Sequence, residues 1–266
     1  MTSLPNEAAQ SPDFEFAVLN EARNYRHALL QDFGEHLQGS VLEVGAGVGQ
    51  ITTELRHIPA ITRLAAIEPD LEFCARLRAT FPDHTLIQGT IDDLKSDEPW
   101  NAILSINVLE HIGEDERELA IYRKVLAREN GTLCLFVPAR PEIYAPLDKD
   151  FGHFRRYTRP ELRRKLEQAG FQILQLRYYN FIGYFTWWLN FCVMQKRHFG
   201  VRALRCFDRV IFPLSYRFEK YICPPPIGQS LFAVARAKST SGSKEPRDFR
   251  PAKANSLNNA PPGCES

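Results

Sequence analysis

The chain has 266 residues, of which 44% are hydrophobic and 24% charged, and its formal net charge at pH 7 is +1. These values are typical of a soluble protein that buries a core. A net charge so close to zero creates no general attraction to nucleic acid, so we expect no nucleic-acid partner.

The sequence predicts neither a targeting segment nor a membrane span. Residues 1–16 carry acidic residues and prolines where a signal peptide would be basic and then apolar. The longest apolar stretch, residues 181–194, is too short and too interrupted to cross a bilayer. The six cysteines form no CxxC pair and no Cys/His cluster at zinc spacing, so we expect reduced thiols and no metal site. The sequence therefore indicates a cytoplasmic protein.

Strand and helix patterns alternate along the first half of the chain. An apolar stripe over residues 15–38 predicts a helix, which we assign to an N-terminal helical cap of residues 1–39. Strands are then predicted at residues 41–44, 64–68, 85–89, 101–107 and 132–137. Helices are predicted between them at residues 49–56, 70–80 and 114–128. Several of these strands are continuous apolar runs, which is typical of a parallel sheet covered by helices on both faces.

Two further strands follow a capped helix. Thr158, Pro160 and Glu161 have the spacing of a capping box with proline in the first turn. Strand patterns come next at residues 171–179 and 231–238. We therefore predict an α/β fold with a seven-stranded, mostly parallel, doubly wound sheet and a helical insertion between the last two strands.

The same patterns divide the chain into regions. Residues 40–180 and 229–238 form the predicted catalytic domain, and residues 181–228 form the insertion. Residues 239–266 contain few apolar residues and many Pro, Ser and Asn, so they are predicted to be disordered.

A glycine-rich turn follows the first predicted strand in the segment VLEVGAGVGQIT. Gly45, Gly47 and Gly49 allow a ligand to approach the backbone closely. Residue 50 is Gln, so the segment lacks the third glycine of a dinucleotide fingerprint, and it also lacks the Gly-Lys-Ser/Thr of a P-loop. The carboxylate of Glu43 would repel a pyrophosphate but attract an ammonium group. These features favour a cofactor with a cationic amino-acid end.

The segment EVGAGVG resembles the first motif of the class I methyltransferases that depend on S-adenosylmethionine (SAM). The resemblance implies that Glu43 and the loop from Gly45 through Ala46 and Gly47 to Gly49 contact SAM. It further implies that Glu68 and Pro69, about twenty residues later, meet the ribose hydroxyls.

Two later segments are similar to further motifs of these enzymes. Gln88 to Leu94 resembles the adenine-contacting segment, but Thr90 stands where an acid is most common. Asp92 or the backbone of Ile91 would then meet the adenine. The segment SINVLEHI resembles the fourth motif, in which Asn107 would face the cofactor.

The loop VPARPEIYAPLDKDFGHFRRYTRPEL contains the candidates for catalysis and acceptor binding. It resembles a bacterial subgroup with a Gly-His-x-Arg-Arg-Tyr signature. His153 is the candidate base, oriented by Asp148 or Asp150, and the alternative is that His153 only holds the loop. Tyr157 is predicted to contact the acceptor or to shape the pocket.

Four other residues are candidates with a structural alternative. Arg155 and Arg156 would bind phosphate or carboxylate, or would anchor the loop as ordinary charged residues. His111 and Tyr179 are candidates for acceptor binding, and the alternative for His111 is packing at a helix start. Tyr25, in a segment that also resembles the subgroup, would cover the methionine end of SAM or pack in the core.

The insertion combines many aromatic residues with seven Lys/Arg and only two carboxylates, Asp208 and Glu219. It would pack on the domain, act as a lid, contact a membrane surface or form a homodimer. A lid of this kind favours an acceptor with an apolar chain and an anionic head, such as a prenyl phosphate or a lipid-linked sugar.

The resemblance implies a SAM-dependent methyltransferase acting on a small-molecule or lipid-like acceptor. The alternatives are a SAM-binding regulatory or partner subunit without turnover of its own, and a natural-product C- or N-methyltransferase. A nicotinamide-dependent oxidoreductase is disfavoured by Glu43 and Gln50. Localisation is predicted to be cytoplasmic, with peripheral membrane contact through residues 181–228 as the alternative.

Overall fold

The fold is built around one seven-stranded sheet. The computed structural model of the protein describes residues 22–95, 99–127, 130–197 and 200–238. The strands are β1 Gly39–Val44, β2 Ile61–Glu68, β3 Thr85–Gln88, β4 Ala102–Ile106, β5 Thr132–Pro138, β6 Phe171–Tyr179 and β7 Ser230–Ala237. Their order across the sheet is β3-β2-β1-β4-β5-β7-β6. β1 to β5 pair in parallel, and β7 runs antiparallel to both of its neighbours. The predicted mostly parallel, doubly wound sheet is confirmed.

Helices connect the strands and cover both faces of the sheet. They are α1 Arg23–Phe33, α2 Gln50–Leu55, α3 Leu71–Thr80, α4 Asp115–Val125, α5 Pro146–Asp150, α6 Arg159–Gln168, α7 Phe181–Trp187, α8 Val201–Cys206 and α9 Phe212–Tyr221. Short 3₁₀ turns lie at Gly34–His36, Ile91–Asp93, Leu109–His111 and Pro141–Ile143, and π-helical turns at Trp188–Val193 and Phe207–Ile211. The predicted capping box begins α6, where the Glu161 backbone N–H donates to the Thr158 hydroxyl at 3.3 Å.

The core lies in two layers, one on each face of the sheet. On one face, α4 and α6 pack apolar side chains such as Leu119 and Leu162 against the strands. On the other face, α1, α2 and α9 do the same, and the Phe33 ring stacks on Phe232 with centroids 4.2 Å apart. β5 is buried along its whole length, as the continuous apolar run predicted.

The carboxyl ends of the strands bring distant segments together. Val44 at the end of β1 is in register with Ile67 of β2 and Ser105 of β4. The residues that follow these strands therefore lie side by side at one edge of the sheet. The order of the strands switches between β1 and β4, since β2 and β3 lie on the far side of β1 and β5 lies beyond β4. In open α/β sheets, ligands bind at such a switch point.

The insertion is fixed to the domain by its two carboxylates, both of which are buried. Asp208 accepts hydrogen bonds from the backbone N–H groups of Asn24 and Tyr25 at 3.1 and 2.9 Å, at the start of α1. Glu219 accepts from the N–H groups of Asn180 and Phe181 at 3.0 and 2.9 Å, at the start of α7. The N-terminal helix and the insertion therefore pack as one unit above the sheet.

Two of the predicted regions fall partly or wholly outside the described residues. The N-terminal cap is described from residue 22 onward, and the tail of residues 239–266 is not among the described residues. In the described ranges, no helix has the length and apolar character needed to span a bilayer.

Candidate active site

The glycine-rich loop between β1 and α2 has a backbone that favours glycine. Gly45, Gly47 and Gly49 have φ angles of 75°, 55° and 85°, all in the left-handed region. A Cβ on Gly45 would lie inside van der Waals contact with the Val108 side chain. The N–H groups of Gly45 and Ala46 donate to the Ile67 carbonyl at 2.9 and 3.1 Å, which holds the loop against β2.

Two buried glutamates accompany this loop. Glu68 ends β2, and its carboxylate accepts from the N–H groups of Gly47 at 2.7 Å and Asp70 at 2.9 Å. Burial raises the pKa of Glu68. Glu43 lies inside β1 and accepts a hydrogen bond from the Thr52 hydroxyl at 2.7 Å. Burial raises the pKa of Glu43 to about 8, so at neutral pH this carboxyl is largely protonated.

The predicted adenine segment forms the 3₁₀ turn after β3. Thr90 caps this turn, and its backbone N–H donates to Asp93 at 2.9 Å. Ile91 is buried. Both Asp92 oxygens accept from Arg117 at 2.8 Å, so the carboxylate points to α4. This placement disagrees with Asp92 as the adenine contact and leaves the Ile91 backbone as the candidate. Pro69 directly follows Glu68, at the end of β2.

A cavity of about 480 Å³ lies between the sheet edge and the insertion. Asn107 lines it, with a φ of 52°, just beyond β4. A left-handed non-glycine residue is strained, and such strain concentrates at functional sites. Most of the surface is apolar and includes Phe136 of β5 together with Trp187 and Phe191 of the insertion. The insertion therefore closes one side of a mainly apolar pocket.

His153 lines this cavity and is held by a buried carboxylate. Its Nδ1 lies 2.9 Å from the Asp148 carboxylate, and its side chain is 7% exposed. Its Nε2 is buried and has no hydrogen-bond partner among the described residues. Asp148 also accepts from Arg156 at 2.9 Å. Burial alone would raise the pKa of Asp148, but the His153 hydrogen bond and the Arg156 charge outweigh it and lower that pKa. Of the two aspartates predicted to orient His153, Asp148 makes the contact.

Glu110 and His111 stand beside His153. Both belong to the 3₁₀ turn after β4, and the Phe154 N–H donates to the Glu110 carbonyl at 2.8 Å. The His111 and His153 rings meet edge to face, with centroids 4.7 Å apart. Burial, followed by the neighbouring His153, lowers the pKa of His111 to about 4, so this ring is neutral at pH 7.

Three of the predicted loop residues point away from the cavity. The Tyr157 hydroxyl donates to buried Asp115 at 2.9 Å, and Arg155 pairs with the same carboxylate at 2.8 Å. Residues 155 and 157 share one side of an extended segment, so Arg156 between them points the opposite way, to the cavity. Asp150 pairs with Arg197 at 2.6 Å. These placements disagree with acceptor contacts by Tyr157 and Arg155 and with Asp150 as the group that orients His153, whereas Arg155 fits its alternative role as a loop anchor.

The surroundings of Arg156 also disagree with its predicted role of binding a phosphate or carboxylate of the acceptor. This buried guanidinium contacts Asp148, donates to the Ala139 carbonyl at 3.2 Å and lies 4.4 Å from the centre of the Trp187 ring. Its charge is balanced within the protein, so it serves as an anchor between the loop and the insertion. This is the structural alternative of the sequence analysis.

Tyr25 and Tyr179 belong to an aromatic cluster beside the cavity. Tyr25 lines the cavity and packs against Tyr179 and Phe212, with ring centroids 5.7 and 4.8 Å away. Tyr179 is completely buried and stacks on Phe232, which disagrees with a contact to the acceptor. Tyr25 therefore both packs in the core and faces the pocket.

Sequence reasoning missed two residues that shape the site. Glu110 lines the cavity, although only its neighbours in SINVLEHI were singled out. Asp208 also lines it and caps α1. The signal that could have identified Asp208 is that it is one of only two carboxylates in a basic, aromatic segment. A carboxylate that is buried in such a segment needs a specific partner.

Comparison with known proteins agrees with this geometry. Residues 18–176, more than half of the chain, match the family described as methyltransferase domain. The non-reducing polyketide synthase mapC of Penicillium brevicompactum is 30% identical over 189 residues, which are 62% of this chain and 8% of the synthase. The chain thus corresponds to a small part of that relative.

Solved structures share the fold. A SAM-dependent methyltransferase from Mesorhizobium loti superimposes with a TM-score of 0.55 and 14% identity, over 78% of this chain and 95% of that chain. DhpI in complex with S-adenosylhomocysteine (SAH) gives a TM-score of 0.53 and 17% identity, over 86% of this chain and 92% of that chain. The chain therefore belongs to the methyltransferase-domain family and has the fold of these solved structures.

Proposed function

We propose that this chain transfers a methyl group from SAM to a hydroxyl group of a small molecule with an apolar body. One observation carries the proposal: His153 lines an apolar cavity of about 480 Å³ next to the carboxyl ends of the strands, with Nδ1 held by Asp148 and no hydrogen-bond partner for Nε2 among the described residues. A pocket of this size suits a small organic acceptor.

The residues at the strand ends fit SAM. The left-handed glycine loop leaves its backbone open, and a Cβ on Gly45 would disturb it. Glu68 is buried at the end of β2, where its carboxylate can accept from ribose hydroxyls. Ile91 would meet the adenine through its backbone, and Asn107 would lie between the cofactor and the acceptor. When bound, SAM supplies the methyl group as a sulfonium and leaves as a neutral thioether.

The chain's own contribution is to orient the acceptor and to remove its proton. The Asp148 carboxylate accepts from Nδ1–H of His153, which leaves the Nε2 lone pair free to take the hydroxyl proton. The proton moves to Nε2 as the acceptor oxygen forms its bond to the methyl carbon. The buried Asp148 charge stabilises the imidazolium that results.

The lining of the cavity favours an uncharged natural product over a phosphate. Phe136, Trp187 and Phe191 provide apolar and aromatic surface, and Arg156 is already paired with Asp148. The polyketide-synthase relative is compatible with a natural-product acceptor, although the match covers 62% of this chain and 8% of the synthase. Methylation at carbon or nitrogen is the alternative.

The outer face of the insertion supports a second candidate, an amphiphilic acceptor taken from a membrane surface. Leu214, Phe218, Tyr221 and Ile222 are each more than half exposed. Flotation with anionic liposomes tests this candidate. Co-flotation that is lost in Leu214→Ser would support it, whereas protein that stays at the bottom would contradict it. A concentration-dependent dimer without flotation would assign the face to a homodimer.

The first experiment is a thermal-shift titration with SAM, SAH, NAD and NADP. A ligand present at a hundredfold excess over its dissociation constant adds about 2.7 kcal/mol. For a domain of this size we expect an increase in Tm of roughly 5–10 °C with SAM and SAH only. A shift with a nicotinamide alone would overturn the proposal.

His153→Ala separates an enzyme from a SAM-binding regulatory subunit. With a panel of phenolic and hydroxylated acceptors, release of SAH should fall by about 10²–10⁴-fold, the usual contribution of a general base. The SAM-induced shift in Tm should remain. His57→Ala, at an exposed histidine, is the matched control and should retain full turnover. SAM binding without SAH release from the unmodified protein would favour the regulatory subunit.

A further inference from the structure

The side chains of Glu110, His111 and His153 converge beside the cavity, which Glu110 and His153 line. Each offers a ligand atom, and these atoms all lie within 4.8 Å of one another. Glu110 and His111 come from the turn after β4, and His153 comes from the loop after α5. We propose that these three residues bind a divalent transition-metal cation that also holds the acceptor oxygen.

His153 is prepared to be a metal ligand. Asp148 lies 2.9 Å from Nδ1, and because a carboxylate accepts, Nδ1 carries a proton and the neutral form of the ring has its lone pair on Nε2. A histidine that ligates a metal usually donates its other N–H to a carboxylate or carbonyl in this way. Its Nε2 is buried and has no partner among the described residues, an arrangement that costs free energy unless something occupies the position.

The other two ligands are held by a separate element. The His111 ring stands nearly perpendicular to that of His153, at 83°, and it has a hydrogen bond to the backbone of Gly152. Glu110 is fully buried and lines the cavity together with His153. The backbone bond from Phe154 N–H to the Glu110 carbonyl, 2.8 Å long, fixes the two elements against each other. The three donors are therefore preorganised.

The donor set selects the class of cation. Two imidazole nitrogens and one carboxylate suit Mn²⁺, Fe²⁺, Co²⁺ or Zn²⁺, whereas Mg²⁺ and Ca²⁺ prefer oxygen ligands. Three protein ligands would leave coordination positions that the protein does not fill. An acceptor hydroxyl could fill one of them, and an acceptor with two adjacent oxygens could fill two.

This inference deepens the proposed function and rests on it only for the role of the acceptor. A bound cation lowers the pKa of a coordinated hydroxyl, which then loses its proton to water before attack. The lone pair of His153 is engaged in the loaded protein, so its action as a base then belongs to the metal-free protein. The metal site itself is testable without SAM or acceptor.

The test is titration of the chelator-treated full chain with MnCl₂, CoCl₂, ZnCl₂ and, for comparison, MgCl₂, followed by calorimetry. We expect one Mn²⁺, Co²⁺ or Zn²⁺ per chain and much weaker binding of Mg²⁺. His111→Ala and His153→Ala should each weaken binding at least tenfold, whereas His57→Ala should not. Absence of binding to the unmodified protein, or binding unaffected by both cavity variants, would overturn the site.

A second measurement does not depend on the variants being folded. In NMR spectra of the unmodified protein, substoichiometric Mn²⁺ should broaden the ring signals of His111 and His153 and leave those of His57 sharp. Broadening of His57 alone would overturn the proposal. SAM-dependent shifts in Tm that persist in protein unable to bind metal would leave the methyltransferase proposal intact. Metal binding without a SAM-induced shift in Tm would support the metal site and contradict the methyltransferase proposal.

Discussion

The proposed cofactor half and the proposed acceptor half of the site are built from different materials. In the cofactor half, the loop from Gly45 to Gly49 presents backbone, and neighbouring strands hold it in place. In the acceptor half, Asp148, His153 and Arg156 present side chains joined by a buried ionic network. A backbone site tolerates exchange of many side chains but few changes of φ. A side-chain network tolerates the reverse.

The two halves also differ in how far along the chain their contacts reach. The glycine loop contacts Ile67 and Glu68, about twenty residues away, through adjacent parallel strands. The acceptor half depends on contacts such as that of Arg156 with Trp187, and it is closed by an insertion that Asp208 ties back to α1. The geometry of the cofactor half therefore depends on the sheet, whereas the geometry of the acceptor half depends on how the loop and the insertion pack.

The largest effect is expected from Asp148→Asn. This change removes the charge that balances the buried Arg156 guanidinium, and breaking a buried pair costs about 3–5 kcal/mol. Asp150→Asn removes the same charge from a more exposed pair with Arg197 and should cost at most about 1 kcal/mol. Urea unfolding measures both, and SAM affinity of the folded Asp148 variant should be unchanged. Equal losses in the two variants would mean that the buried network of the acceptor half stabilises the fold no more than an exposed ion pair does.

The next effect, which depends on pH, is expected from Glu43→Gln. The pKa of Glu43 is raised from 4.5 to about 8 by burial, so the folded state holds a proton that the unfolded state releases. The contribution of the protonated carboxyl to stability is complete below pH 4.5 and is lost as the pH rises to about 8. Glutamine has no proton to lose, so the free energy of unfolding of the variant should rise relative to that of the unmodified protein across this pH range. The expected rise is a few kcal/mol, at about 1.4 kcal/mol for each unit of pKa difference.

The control for Glu43→Gln is Glu35→Gln, which removes the same charge at an exposed position. Denaturant unfolding at pH 5, 6.5 and 8 gives the three stabilities. A constant difference between Glu43→Gln and the unmodified protein would mean that Glu43 is ionised in the fold. The carboxylate would then be available to an ammonium group without any proton release.

Local patterns made the sheet and the cofactor half predictable. Thr158 and Glu161 are three residues apart, and Gly45 directly follows a strand, so each signal and its structural consequence lie within one short segment. The apolar runs located every strand for the same reason, although β2 begins at Ile61, three residues before the predicted start. Nothing more distant than a neighbouring strand is needed to place these residues.

The acceptor half was only partly predictable because orientation depends on tertiary packing. Asp148 and Asp150 lie two residues apart, yet one contacts His153 and the other contacts Arg197. Tyr157 was expected at the acceptor, but the alternation of an extended segment turns it to Asp115. Composition identifies the polar residues of this loop, but only the packed structure determines which of them face the cavity.

The smallest effect on stability, and the one confined to the cofactor half, is expected from Gly45→Ala. A side chain at a φ of 75° costs about 1–2 kcal/mol, and the new Cβ must also displace Val108. Gly113→Ala is the matched control, because a Cβ there has no neighbour within 4 Å, and its cost should stay within about 0.5 kcal/mol. Adding Val108→Ala to the Gly45 variant relieves the crowding but not the backbone strain. We expect Gly45→Ala to reduce the SAM-induced shift in Tm. If the double variant recovers only part of that shift, the part still missing is due to the loop conformation. Full recovery would mean that crowding alone requires the glycine.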